Sequence, residues 1–252
     1  MVNITALIAG ENTRWRAMVV QPQHAPEFGT VAARLVRAEA KAIYQEIEAE
    51  TGVPWFVTAV IHEREASQSW ARSIAQGDRW DGVSTHVPIG RGPFKTFKAA
   101  AVDALVNCAP KVARWTDWSI GGILTLLEEY NGLGYAGRGV PSPYIWAGTD
   151  QYVSGKYVRD GVYDPHTVDP QLGCAGLLMA MQRLDPSIHF GVSLMPAAGP
   201  TARVSPSKPA VPVVPTVHDA PPLAPSITHP ASGSLGEAIV KLFEALFGHL
   251  HH

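Results

Sequence analysis

The chain has 252 residues, 46% of them hydrophobic and 17% charged, with a formal charge of −2. That composition excludes wholesale disorder, and a near-neutral balance argues against nucleic-acid binding by phosphate neutralisation. Two cysteines, Cys108 and Cys174, are too few for a disulfide framework, and their spacing fits no metal knuckle.

In chain order, the N-terminus MVNITALIAGENTRWR lacks a basic segment, and its apolar run is too short for a signal peptide. No apolar stretch approaches the ~20 residues of a membrane span. The expectation is a protein made in the cytoplasm without a signal peptide. Residues 30–51 (TVAARLVRAEAKAIYQEIEAET) predict one helix stopped by Gly52. Pro54 fits the first turn of the next helix, PWFVTAVIHEREAS. Residues 94–107, 119–130 and 170–184 predict three more. Between 76 and 93 the pattern dissolves into Gly, Asp, Ser, Thr and Pro, which predicts a loop or small hairpin. Residues 131–165 read as irregular, rich in Tyr and Gly.

Composition changes near residue 195. Ten of the 21 prolines fall between Pro196 and Pro230, a stretch without Trp, Tyr or Phe. It reads as a disordered, extended linker. Beyond it, SLGEAIVKLFEALFGHL sets Ile239, Leu242, Phe243, Leu246, Phe247 and Leu250 on one helical face, with Ser234 and Glu237 as a capping box. The predicted organisation is therefore a helical domain at 1–195, a linker at 196–233 and an amphipathic helix at 234–252. A lone helix of that length needs a partner for its apolar face. A membrane surface, a second copy and its own domain are the three choices.

Several motif matches fail on context. Gly132 to Gly137 spells G-x-G-x-x-G but follows a helical pattern where a strand is required. His62-Glu63 opens like a zinc-protease helix, but Ala66 stands where the second His belongs. No G-x-S-x-G elbow is present. Neither a metal nor a cofactor is expected.

The informative stretch is 55–67. Its helix is apolar on nearly every side, which predicts burial, yet its last turn carries His62, Glu63, Arg64 and Glu65. A carboxyl there would be desolvated and would hold its proton, as a general acid must. An ion-pair network closing the helix would explain the same residues. The helical wheel does not choose between the two glutamates.

The ordered series AVIHEREAS, QGDRW, STHVPIGRGPF, EEYNGLGY and SPYIWAGTDQYVSGKYVRDG resembles a bacterial and phage family of lysozyme-like peptidoglycan hydrolases, over about residues 15–185. The resemblance implies a mainly α (α+β) lysozyme-like fold with a small hairpin. It also implies cleavage of glycan strands between N-acetylmuramic acid and N-acetylglucosamine, with release to the wall as phage endolysins achieve it. Glu65 matches the family's catalytic glutamate, and Asp78 matches the aspartate of its N-G-D loop as base or electrostatic stabiliser. The chain departs there: Gln76 replaces Asn, Arg79-Trp80 replace Pro-Leu, and the loop before Thr85 and His86 is shortened. Asn131, after Tyr130 and before an αL Gly132, is expected to hydrogen-bond an N-acetyl group. Tyr144, Trp146 and Tyr152 are candidates for stacking on sugar faces. Thr85 and His86 complete the substrate-binding set. The alternatives are a non-catalytic murein binder, a virion structural protein, and a chitinase acting on the shared N-acetylglucosamine unit.

Overall fold

The computed structural model describes residues 2–159 and 161–191. Both the linker expected at 196–233 and the helix expected at 234–252 lie outside the described residues.

The described chain is mainly helical, with one two-stranded sheet. Its first helix, α1 (Ile4–Ala17), has no apolar stripe and buries only Ile8 and Glu11. The short apolar run at the N-terminus is this helix's opening turns. Asn3 caps it by accepting the Ala6 N–H at 3.1 Å. Packing holds it in place: α1 lies against α6 (Ile120–Asn131) where α6 begins Ile-Gly-Gly. A Cβ on Gly121 would stand 2.6 Å from the Ile8 carbonyl oxygen. We therefore expect Gly121→Ala to push the two helices apart and cost about 1–3 kcal/mol in thermal unfolding. An unchanged melting temperature would contradict this close approach.

The single helix predicted over 30–51 is two, α2 (Ala25–Leu35) and α3 (Ala38–Thr51). The chain turns at Arg37, whose ψ is 139°. Neither Pro nor Gly marks the break. The turn lets Phe28, Ala32 and Leu35 face α9 (Cys174–Leu184), while α3 packs on α4 (Trp55–Ala66) and α5 (Phe97–Val106). Gly52 ends α3 in the left-handed region at φ 73°, as expected. Pro54 stands at the N-cap of α4, one place before the predicted first turn. Nine of the twelve α4 residues are buried. Thr96 and Ser119 cap α5 and α6 with their side chains.

Residues 76–93, expected as loop or small hairpin, are loop. The antiparallel pair is β1 (Lys156–Arg159) and β2 (Val162–Asp164), in the segment expected to be irregular. Rings of Tyr135, Tyr157 and Tyr163 pack edge-on there, and the Arg138 guanidinium sits 4.6 Å from the Tyr163 ring. Two short helices, α7 (Gly134–Arg138) and α8 (Pro143–Trp146), lead into this hairpin. No described helix is long and apolar enough to cross a membrane.

Beneath α1 lie two buried carboxyls. Glu11 and Glu128 are 3% and 2% exposed and lie within hydrogen-bonding reach of each other. Glu128 accepts the Ala136 N–H at 3.0 Å. Glu11 Oε2 receives no donor, and the Trp146 indole N–H faces Glu11 without reaching hydrogen-bond geometry. Arg14 is the nearby cation. Burial pushes both carboxyls up; the Glu128 charge raises Glu11 further, whereas the contact with Glu11, the Ala136 N–H and Arg14 pull Glu128 back.

Candidate active site

The last turn of α4 brings four ionisable residues into a buried helix, and each is handled differently. His62 is fully buried; its Nδ1 is 2.9 Å from the Tyr44 hydroxyl and its Nε2 is 3.0 Å from the Ser69 carbonyl. Desolvation lowers its pKa to about 4, so it is neutral. Glu63 accepts both of its hydrogen bonds from Arg34 Nη2, at 3.0 and 2.8 Å. Burial still leaves the Glu63 carboxyl above its ordinary range, against the pull of Arg34. Arg64 pairs with Asp169 at 3.2 Å. Glu65 has no ion-pair partner among the described residues, and its carboxyl accepts the Tyr144 hydroxyl proton at 2.9 Å.

Desolvation drives the Glu65 pKa up to about 7, against the lowering effects of the Tyr144 hydrogen bond and the Arg64 charge. The groups around it come from four helices: Arg64 on α4, Tyr130 on α6, Tyr144 on α8 and Cys174 at the start of α9. The two α4 glutamates thus divide the expectations between them. Glu63 is tied into an ion pair, whereas Glu65 is a desolvated acid with one neutral donor.

Asp78 sits in the turn that follows α4. Gly77, at φ 70°, passes so close to the helix end that a Cβ on it would lie 3.4 Å from the Glu65 carbonyl oxygen. The Asp78 carboxylate is held by donors from its own loop. It accepts the N–H groups of Thr85 and His86 at 2.8 and 3.0 Å, and meets His86 Nδ1 at 2.6 Å. Burial raises its pKa, but these donors outweigh burial and hold it below the usual carboxylate range. Thr85 and His86, expected to bind substrate, here organise their loop around Asp78.

Tyr130 is half-buried and donates its hydroxyl proton to the Ile74 carbonyl at 2.8 Å, fastening α6 to the turn before Asp78. Asn131 ends α6, is 6% exposed, and makes no side-chain hydrogen bond among the described residues. Gly132 follows at φ 92° and ψ 136°, which is not the αL stop that was expected.

Three aromatic expectations need correction on geometry. Trp146 is wholly buried and is a core side chain. Tyr152 is 4% exposed; its hydroxyl accepts the Asp169 N–H at 3.0 Å and braces the loop behind α4. Tyr144 is also buried, and its hydroxyl serves Glu65 directly. None of the three offers a face to a sugar in this conformation.

A recess of about 560 Å³ is lined by Arg34, Arg37, Gln68 and Trp70, among others. Arg34, which pairs with Glu63, lines it, and none of the expected site residues does. Among the described residues, no three His, Cys, Asp or Glu side chains converge as a metal-ligand set. Arg34, Tyr44, Lys156 and Asp169 were not singled out from the sequence. Arg34, Tyr44 and Asp169 reach the last turn of α4 from other elements, and Lys156 reaches Asp169, where no local pattern points to them.

No family model, no curated protein and no solved structure matches the chain.

Proposed function

We propose that this chain cleaves the glycan strand of peptidoglycan between N-acetylmuramic acid and N-acetylglucosamine, using a lysozyme-like helical domain with Glu65 as general acid. The observation that carries the reading is the Glu65 carboxyl at the end of a buried helix, with a pKa of about 7 and a hydroxyl donor fixing its orientation. Such a group holds a proton near neutrality and can deliver it to a glycosidic oxygen. It works with the ordered motif series from His62 to Gly161 and with the unpaired amide of Asn131. Peptidoglycan is the proposed partner. The route from cytoplasm to wall is release of the endolysin kind.

The state of Asp78 supports a second reading of the chemistry. A carboxylate held below its ordinary range by donors on both oxygens is a weaker base for activating water. Glu65 would then act alone, with the muramic acid's own hydroxyl displacing the leaving group to give an anhydro sugar. We expect Asp78→Asn to separate the two. Hydrolysis with Asp78 as base would slow by about two to four orders of magnitude, whereas intramolecular attack would slow far less.

The test of the reading as a whole is turbidity of purified sacculi. Lysis by the purified protein is expected. Stable turbidity with tight sacculus binding would favour the non-catalytic murein binder, and neither lysis nor binding would favour a structural role.

A further inference from the structure

Arg64 is the charge nearest the proposed acid. A guanidinium free to pair with Glu65 would strip its proton, because a neighbouring opposite charge lowers a carboxyl pKa by about 1–3 units. The structure gives Arg64 other partners. The Arg64 side chain is 2% exposed and Asp169 is fully buried, with Nη2 and Oδ2 at 3.2 Å. Arg64 Nη1 donates to the Leu172 carbonyl at 2.9 Å, and the guanidinium lies 4.6 Å from the centre of the Tyr144 ring. That same tyrosine turns its hydroxyl to Glu65. Asp169 is fixed in turn by Lys156 at 3.1 Å and by the Gln171 N–H at 3.2 Å.

We infer that Asp169 is a positioning residue: it anchors the Arg64 guanidinium behind the Tyr144 ring and so leaves Glu65 able to carry a proton. This deepens the proposed function, since it rests on Glu65 as the acid. Of the other groups around Glu65, Tyr130, Tyr144 and Cys174 are neutral, their pKa values raised by burial. Arg64 is thus the one charge that acts on the acid among the described residues. Asp169 carries the opposite charge, and its link to Lys156 couples the β1 strand to the same point. Without Asp169, the Arg64 charge would be left to act on Glu63 and Glu65, the two α4 carboxyls that already feel it.

The test uses the full chain labelled for carboxyl carbon NMR, so that Glu65 is titrated directly and apart from any activity. In Asp169→Asn the Glu65 midpoint should fall by about 1–3 pH units, and the alkaline limb of sacculus lysis should move with it. A fall of two units would leave about 1% of Glu65 protonated at pH 7, a roughly 50-fold loss of rate at that pH. A folded Asp169→Asn protein with an unmoved midpoint overturns the assignment. If that variant does not fold, Arg64→Met/Asp169→Asn removes the pair together, a change buried ion pairs often tolerate. There the midpoint should rise above wild type, and a midpoint at or below wild type overturns the assignment. Glu65 titrating as expected in a wild-type protein that cuts no glycan would sink the functional reading alone.

Discussion

Glu65→Gln should reduce glycan cleavage by about 10²- to 10⁴-fold while the protein folds and melts as wild type. The amide is nearly isosteric, and its NH₂ can still meet the Tyr144 hydroxyl oxygen, but it has no proton to give. The site is neutral in both proteins once pH is below the Glu65 pKa of about 7, so the substitution removes no buried charge. Wild-type activity should fall as pH rises through that value, because the protonated form is the one that works. Glu63→Gln is the paired control. It breaks the contact with Arg34, so it should cost stability and leave the pH dependence in place. Circular dichroism, melting curves and lysis rates together separate the two. Normal lysis by folded Glu65→Gln, with Glu63→Gln inactive, would mean that the acid is the other glutamate.

The second large effect concerns stability. Glu11 and Glu128 carry folded-state pKa values of about 8 and about 7, both above the unfolded value of 4.5. The folded protein therefore binds more protons than the unfolded chain between pH 4.5 and about 8. Stability from this pair is complete below the unfolded pKa and is lost as pH rises through the folded values, at up to about 1.4 kcal/mol per pH unit for each proton. Above pH 8 two carboxylates would face each other beneath α1 with only Arg14 near. Glu11→Gln supplies a neutral donor to Glu128. We expect it to flatten the fall in melting temperature between pH 5 and pH 9 and to make the variant the more stable protein at pH 9. Melting curves that stay parallel across that range would contradict the raised pKa values.

What could be read in the chain beforehand was what local chemistry writes there. The all-round apolarity of 55–61 marks a buried helix, and Gly52 marks a helix end through its backbone freedom. The turn between α2 and α3 carried no such mark, because packing of Phe28 and Leu35 against α9 sets it. Helix α1 was missed because its close packing on Gly121 of α6 lies more than 100 residues away. A loop or small hairpin was expected where Gly and Pro are dense; the strands form where Tyr157 and Tyr163 can pair across them. In the site, Glu65 and Asp78 were legible as residue types at a helix end and in a following turn. Their surroundings were not. Tyr144 reads as a sugar platform in sequence, but its ring lies against the Arg64 guanidinium and its hydroxyl meets Glu65. The pairing of Arg64 with Asp169, 105 residues apart, has no signature in either segment.

The most direct measurement is mass spectrometry of what the purified protein releases from sacculi. The account predicts soluble disaccharide-peptides cut on the reducing side of N-acetylmuramic acid, absent when Glu65→Gln replaces the wild type. An anhydro end would assign the cut to Glu65 alone, and a free reducing end would assign it to water. Cuts confined to peptide bonds, cuts after N-acetylglucosamine, or no soluble product at all would contradict it.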